Sequence, residues 1–296
     1  MDAPLATAAT HHRANLLALA TIALWASLAA LGASLRHVPP FLLTGLGLLA
    51  GSLIALPMVR FDVRQLAVPW PTLAIGVYGL FGFHLLLFTA LGNAPPVEAN
   101  LINYLWPLGI VLMAPLILPG VHLTRLHVLA ALTGFAGAAI AILGRSGAGA
   151  PAPGNMLLGY ACAAGAALVW SSYSLLTKRL ALTGRNFPTA AIGSFGLVSG
   201  VLALICHALW EPSVALSPRD VLLIAALGLG PLGGAFFLWD KALKLGDARQ
   251  IGVLSYLTPL LSTLILLWST GQPLSWNVGV ATLMILGAAI AGTRAK

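Results

Sequence analysis

The 296-residue chain is 59% hydrophobic and only 7% charged, with a mean hydropathy of +0.96, whereas a soluble domain carries about a quarter charged residues. That balance excludes a water-soluble globule, because there is too little polar surface to cover one. The net charge of +8 is not gathered into a basic patch with interleaved aromatics, which argues against nucleic acid as a partner.

Apolar runs long enough to cross a bilayer core, about 17–25 residues, fall at 14–34, 39–59, 68–92, 96–118, 122–143, 155–181, 187–209, 219–244, 248–270 and 274–294. They are continuous and rich in Leu, Ala and Gly, without the alternation of barrel strands, so helices are predicted. The fold class expected is therefore an all-α membrane protein of ten transmembrane helices, with the lipid bilayer as its solvent. The opening "MDAPLATAATHHRANLLALA" precedes a run too long for a signal core and offers no convincing cleavage site, so the first helix is expected to stay.

The first run carries Trp25 and the third carries Tyr78 and His84. A lone buried histidine ordinarily bridges helices, and a proton-carrying role is the alternative. The fourth run holds "NLINYLWPLG", in which helical spacing puts Asn100, Asn103, Tyr104 and Pro107 on one stripe. Carboxamides are costly against lipid, so this stripe should face a neighbouring helix or a wet cavity. Glu98 stands just before it, where a carboxylate suits the positive end of a helix dipole. In the sixth run Trp170, Tyr173, Ser174 and Thr177 share a face, and Trp170 lies too deep for an interfacial anchor. The eighth run ends on "FFLWDKALK", with Trp239 and with Asp240 and Lys241 as candidates for coupling or gating. Cys162 and Cys206 lie inside runs and lack metal-ligand spacing, so no metal and no cofactor is expected.

The segment 144–154 is the only linker-like stretch, and it divides the chain into 1–143 and 155–296. The halves resemble each other. "LINYLWPL" at 101–108 aligns with "VLSYLTPL" at 253–260, "GAAI" at 137–140 returns at 287–290, and "ALWAS" at 23–27 pairs with "LVWSS" at 168–172. The stripe of the fourth run thus has equivalents in Gly252, Ser255, Tyr256 and Pro259. Pro107 and Pro259 are candidate paired hinges, since a proline inside a helix removes a hydrogen bond and bends it.

Five helices per half is an odd number, so the second half would enter from the opposite side. Such an inverted repeat is the logic of alternating access in secondary transporters, which expose a central site first to one side and then to the other. Twelve of the fifteen Lys and Arg residues would lie on the side of the termini, with only Arg36, Arg145 and Arg219 opposite, so both termini are expected in the cytoplasm.

At "VEANLINYLWPL", "VWSSYSLLTKRLA" and "LSYLTPLLS" the chain resembles the drug/metabolite transporter superfamily, EamA type, and more narrowly its bacterial exporters of aromatic amino acids. The resemblance implies two inverted five-helix repeats and export of amino acids, aromatic and also broader, across the bacterial inner membrane. The chain departs from the pattern at Asp240, where Asn is expected. The bottom-up chemistry agrees: carboxamides and hydroxyls can hold a carboxylate and an ammonium, and aromatic faces can stack on a side chain. Trp25, Tyr78, His84, Asn100, Asn103, Tyr104, Trp170, Tyr173, Ser174, Trp239, Ser255 and Tyr256 are the candidate cavity residues, with Glu98, Asp240 and Lys241 as coupling or gating candidates. A monomer is expected.

Export of another small metabolite or an amphipathic drug is the competing reading within transport. An intramembrane enzyme would need a catalytic set at membrane depth, and neither paired aspartates nor a serine with a histidine base can be recognised. A receptor or scaffold would account for the hydrophobicity and leave the repeat unexplained.

Overall fold

The computed structural model describes residues 8–143, 154–270 and 276–294, and among them every regular element is helical. In chain order the helical stretches are α1 (Ala8–Ala33), α2 (Pro40–Met58), α3 (Trp70–Asn93), α4 (Pro96–Ile117), α5 (Arg125–Leu143), α6 (Met156–Leu182), α7 (Thr189–Trp210), α8 (Pro218–Leu245), α9 (Ala248–Leu254 and Leu257–Thr270) and α10 (Trp276–Arg294). Eight of these, α2 to α8 and α10, are long and apolar enough to cross a membrane. The protein is a multi-pass helical membrane protein. The proposed linker lies almost wholly outside the described residues.

The helices start and stop where local chemistry directs. Prolines stand in the first turns of α2 and α4, where their missing N–H costs nothing. Asn155 caps α6 by accepting from the Leu158 N–H at 3.2 Å, and Ser217 and Asp220 form a reciprocal capping box at the start of α8.

Besides α2, which breaks at Leu53–Ile54, four stretches are interrupted, and these four interruptions come in corresponding places. In α3 a π-helical turn spans Tyr78–Gly82, and in α8 another spans Gly230–Gly234. In α4 the α-helix stops at Asn103 and resumes at Trp106, and in α9 it stops at Leu254 and resumes at Leu257. Inside a membrane, irregular backbone is tolerated where it is buried in protein or lines a cavity.

The tightest pairings are α1 with α8 and α9, α6 with α3 and α4, α2 with α7 and α8, and α5 with α10, and α4 also packs on α9. Small residues make the close approaches possible, as usual where hydrocarbon removes the hydrophobic drive between helices. At the crossing of α2 and α8 a Cβ on Gly51 would stand 2.6 Å from the Gly233 Cα and 2.7 Å from the Gly228 carbonyl oxygen. Both obstacles are backbone and cannot swing away. Gly51→Val is therefore expected to cost at least ~1–3 kcal/mol, read as a lower thermal unfolding temperature in detergent; an unshifted transition would show that the two helices can separate freely.

Candidate functional site

A cavity of about 290 Å³ lies among α1, α2, α3, α4, α6, α8 and α9. Its walls are aromatic. Trp25 from α1, Phe83 from α3, Trp106 from α4, Trp170 from α6 and Phe236 from α8 all line it. Trp170 is the hub, with ring centroids 5.7 Å from Trp25, 5.3 Å from Phe83 and 5.6 Å from Phe236. Exposed Leu28 and Asn100 stand at its mouth, toward the end of the bundle away from the N-terminus of α1.

The polar groups of the lining are few: the hydroxyls of Thr44, Tyr104 and Thr258, the carboxamides of Asn100 and Asn103, the His84 ring and the tryptophan indoles. Asn103 Oδ1 and Thr258 Oγ1 are buried in the wall, and neither has a hydrogen-bond partner. His84 places Nδ1 2.6 Å from the Leu80 carbonyl oxygen, which belongs to the π-helical turn. A carbonyl can only accept, so Nδ1 carries the proton and, in the neutral ring, Nε2 is an acceptor. Among the described residues no Asp, Glu, Lys or Arg lines the cavity. An uncharged wall with a few donors and acceptors within an aromatic box suits a small cargo that has both polar groups and an apolar face while carrying no net charge.

Six candidates from the sequence meet at this cavity: Trp25, His84, Asn100, Asn103, Tyr104 and Trp170. The others stand elsewhere. Tyr173 is buried behind Trp170, with ring centroids 5.4 Å apart. Trp239 is buried beneath the box, 5.1 Å from Trp25, and its Nε1–H donates to Ser174 Oγ at 3.1 Å. Thr177 returns its hydroxyl to the Ser174 carbonyl. These four residues support the box from outside.

Tyr78 is exposed, and its hydroxyl lies 2.8 Å from Ser172 Oγ, away from the cavity. Ser255 returns its hydroxyl to the Ile251 carbonyl within its own helix. Tyr256 is fully buried against Gly134 and Phe135 of α5. Glu98 is exposed in the first turn of α4 and accepts from the Tyr160 hydroxyl at 3.1 Å.

Pro107 and Pro259 both sit in the first turn after a helix interruption, so the expected mid-helix bend is replaced by a stop and a restart. Pro107 lies at the crossing with α9, where its carbonyl oxygen would be 3.2 Å from a Cβ at Gly252. The two stripes thus meet through Pro107 and Gly252.

Sequence reasoning passed over Trp106, Phe83, Phe236 and Thr258. The signal for two of them was in the aligned stretches, because Thr258 of "YLTP" occupies the place of Trp106 in "YLWP". The interruption at Tyr104–Leu105 rotates the chain so that Trp106, rather than Pro107, faces the cavity. Ser171 Oγ, 2.8 Å from the Trp106 carbonyl oxygen, holds the restart against α6.

Beneath the aromatic box, toward the end where α1 begins, polar side chains tie the helices together. Asp240 Oδ2 accepts from Lys244 Nζ and from Thr189 Oγ1, each at 2.7 Å. Lys244 also donates to the Phe187 carbonyl at 2.8 Å and lies over the Phe187 ring. Buried Lys178 donates to the carbonyls of Leu243, at 2.7 Å, and Gly246 at the end of α8. Asp247 follows. Burial opposes its charge, but hydrogen bonds from Arg249 and the positive charges of Arg249 and Lys178 outweigh this and hold its carboxyl below the usual value. Lys241, by contrast, is exposed.

Comparison with known proteins bears on what such a cavity carries. The model of the EamA-like transporter family matches twice, over residues 12–143 and 157–292. The chain is 41% identical over 283 residues to the Ancylobacter novellus protein named aromatic amino acid exporter YddG, covering 95% of this chain and 96% of that one. The Escherichia coli protein of the same name is 25% identical over 296 residues, covering 95% and 97% of the two chains. A solved crystal structure superposes with a TM-score of 0.86 at 40% identity, over 95% of this chain and 97% of that one.

Proposed function

This chain belongs to the EamA-like transporter family, and on that premise we propose that it exports aromatic amino acids, and other amino acids more slowly, across the bacterial inner membrane by alternating access. The carrying observation is the uncharged aromatic box with two buried polar atoms that have no partner, the carboxamide oxygen Asn103 Oδ1 and the hydroxyl Thr258 Oγ1, both able to accept. An aromatic amino acid at neutral pH is a zwitterion with no net charge. Its ammonium offers three donors to these acceptors, and an aromatic side chain finds edge and face partners in Trp25, Trp106 and Trp170. The cavity volume, about 290 Å³, is at the small end of ligand pockets, which favours one amino-acid-sized molecule over a bulky drug. The relatives named as exporters of aromatic amino acids support the same reading.

Ten membrane spans arranged as two inverted repeats complete the proposal. The two successive family matches support it. So do the π-helical turns, whose first residues, Tyr78 and Gly230, are separated by 230 − 78 = 152 positions, the offset that aligns "LINYLWPL" with "VLSYLTPL". Exchanging the halves also converts the pairing of α1 with α8 and α9 into that of α6 with α3 and α4, and it leaves α2 with α7, α4 with α9, and α5 with α10 unchanged. With the basic residues concentrated at the end of the termini, that end is cytoplasmic, and the cavity mouth faces outward.

Counterflow of labelled Phe, Trp, Thr and Lys in liposomes tests this directly. Absence of movement for every amino acid, with folded protein, would falsify the exporter reading. In the same assay Asn103→Leu, which removes a buried acceptor, is expected to weaken apparent affinity about tenfold or more, since a hydrogen bond to a charged group is worth ~1.5–3 kcal/mol. An unchanged half-saturating concentration would take Asn103 out of cargo binding.

A further inference from the structure

A second pocket, of about 410 Å³, lies away from the aromatic box, between α3 and the C-terminal end of α6. Its walls are Ile75, Leu176 and Leu180, all half-buried, and its polar rim is Arg179, Thr183 and Arg185. The rim has a local cause. Gly184 takes φ +76°, a left-handed conformation that favours glycine, and the chain reverses there. The Arg185 N–H then donates to the Leu180 carbonyl at 3.0 Å and the Thr183 N–H to the Arg179 carbonyl at 2.9 Å, closing the helix end. This turn folds Arg185 back beside Arg179 on the same pocket.

Neither guanidinium is paired with a carboxylate among the described residues, and no acidic side chain lines the pocket. Two unpaired guanidiniums could be ordinary cations at the negative end of a helix dipole. That account explains their sign and leaves unexplained a pocket whose other wall is aliphatic. The groove opens on the outside of a membrane protein, at the end that carries most of its basic residues, where the molecule at hand is lipid. Guanidinium forks match phosphate oxygens in geometry, and Ile75, Leu176 and Leu180 offer an apolar track to an acyl chain. Basic pockets between helices on the cytoplasmic side are suited to anionic headgroups.

We propose that Arg179, Thr183 and Arg185, with the groove of Ile75, Leu176 and Leu180, form a binding site for one anionic phospholipid. The phosphate sits between the guanidiniums and one acyl chain lies along the groove. The site is separate from the cargo cavity and does not depend on what the cavity carries.

Native mass spectrometry of the purified full chain, titrated with phosphatidylglycerol or phosphatidylcholine, tests it. One phosphatidylglycerol should be retained at concentrations at least tenfold below those needed for phosphatidylcholine. Arg179→Gln with Arg185→Gln should erase that preference while leaving the thermal unfolding temperature in phosphatidylcholine unchanged, and Leu180→Asn should weaken retention of both lipids. Wild-type protein that holds the two lipids equally overturns the proposal without reference to any variant. So does a double variant that keeps the preference, or release of the lipid by an equal concentration of glycerol 3-phosphate, which would make the site one for soluble phosphate.

Discussion

Asp240→Leu is expected to destabilise the protein by about 3–5 kcal/mol, the usual consequence of removing one partner from a buried ion pair. Asp240 is 3% exposed, and its carboxylate is the anionic partner of Lys244, whose side chain is itself only 12% exposed. Leucine would leave the ammonium with the Phe187 carbonyl and ring, and the Thr189 hydroxyl without its acceptor. The loss falls on the joint between α8 and the start of α7, beneath the aromatic box. It should therefore lower the thermal unfolding temperature and also loosen this end of the transport path. Asp240→Asn, which keeps an oxygen for Thr189 and Lys244, should cost less. Asp240→Leu combined with Lys244→Met should recover most of the loss, because an apolar pair of similar volume does not strand a charge. Equal unfolding temperatures for the wild type and Asp240→Leu would show that the pair is solvated and holds nothing closed.

Trp170→Ala is the second large effect, at about 3–5 kcal/mol in stability with a change of cargo preference. Trp170 is 3% exposed and touches rings on α1, α3 and α8. Its loss opens the cavity wall and removes a surface on which an aromatic cargo rests. Trp170→Phe, which keeps an aromatic face, should fold well enough to separate the two consequences. The readout is the ratio of tryptophan to threonine counterflow. Aromatic pairs are worth ~0.5–1.5 kcal/mol each, so the ratio should fall severalfold in Trp170→Ala and less in Trp170→Phe. A folded Trp170→Ala with an unaltered ratio would remove Trp170 from the path and leave it a purely structural residue.

The aromatic box also explains why the polar stripe of α4 was legible and that of α9 was not. Asn100 and Asn103 precede the interruption of α4 and Tyr104 only opens it as the helix cap, so ordinary helical spacing places them together. Ser255 and Tyr256 fall on the interruption of α9 itself, where that spacing no longer holds. Tyr256 turns toward Gly134, and Thr258 takes the cavity position. Tyr78 fared similarly. It opens a π-helical turn, and the extra residue in that turn changes which side chains of α3 look inward, so that Phe83 and His84 line the cavity while Tyr78 faces out.

What the sequence determined by itself was the solvent, the helical class and the approximate extent of each run, because a long apolar segment in hydrocarbon must satisfy its own backbone and has few ways to do so. It also determined the likeness of the two halves, written in "LINYLWPL" and "VLSYLTPL". Tertiary structure alone decided which faces became cavity and which became support. The α-helical period carries a face assignment only as far as the helix is regular, and here four stretches change phase near the site. The contacts that Thr189 and Phe187 make with the Asp240–Lys244 pair likewise required the helices to be brought together, since hydropathy says where a charge lies along a span and not what it will meet.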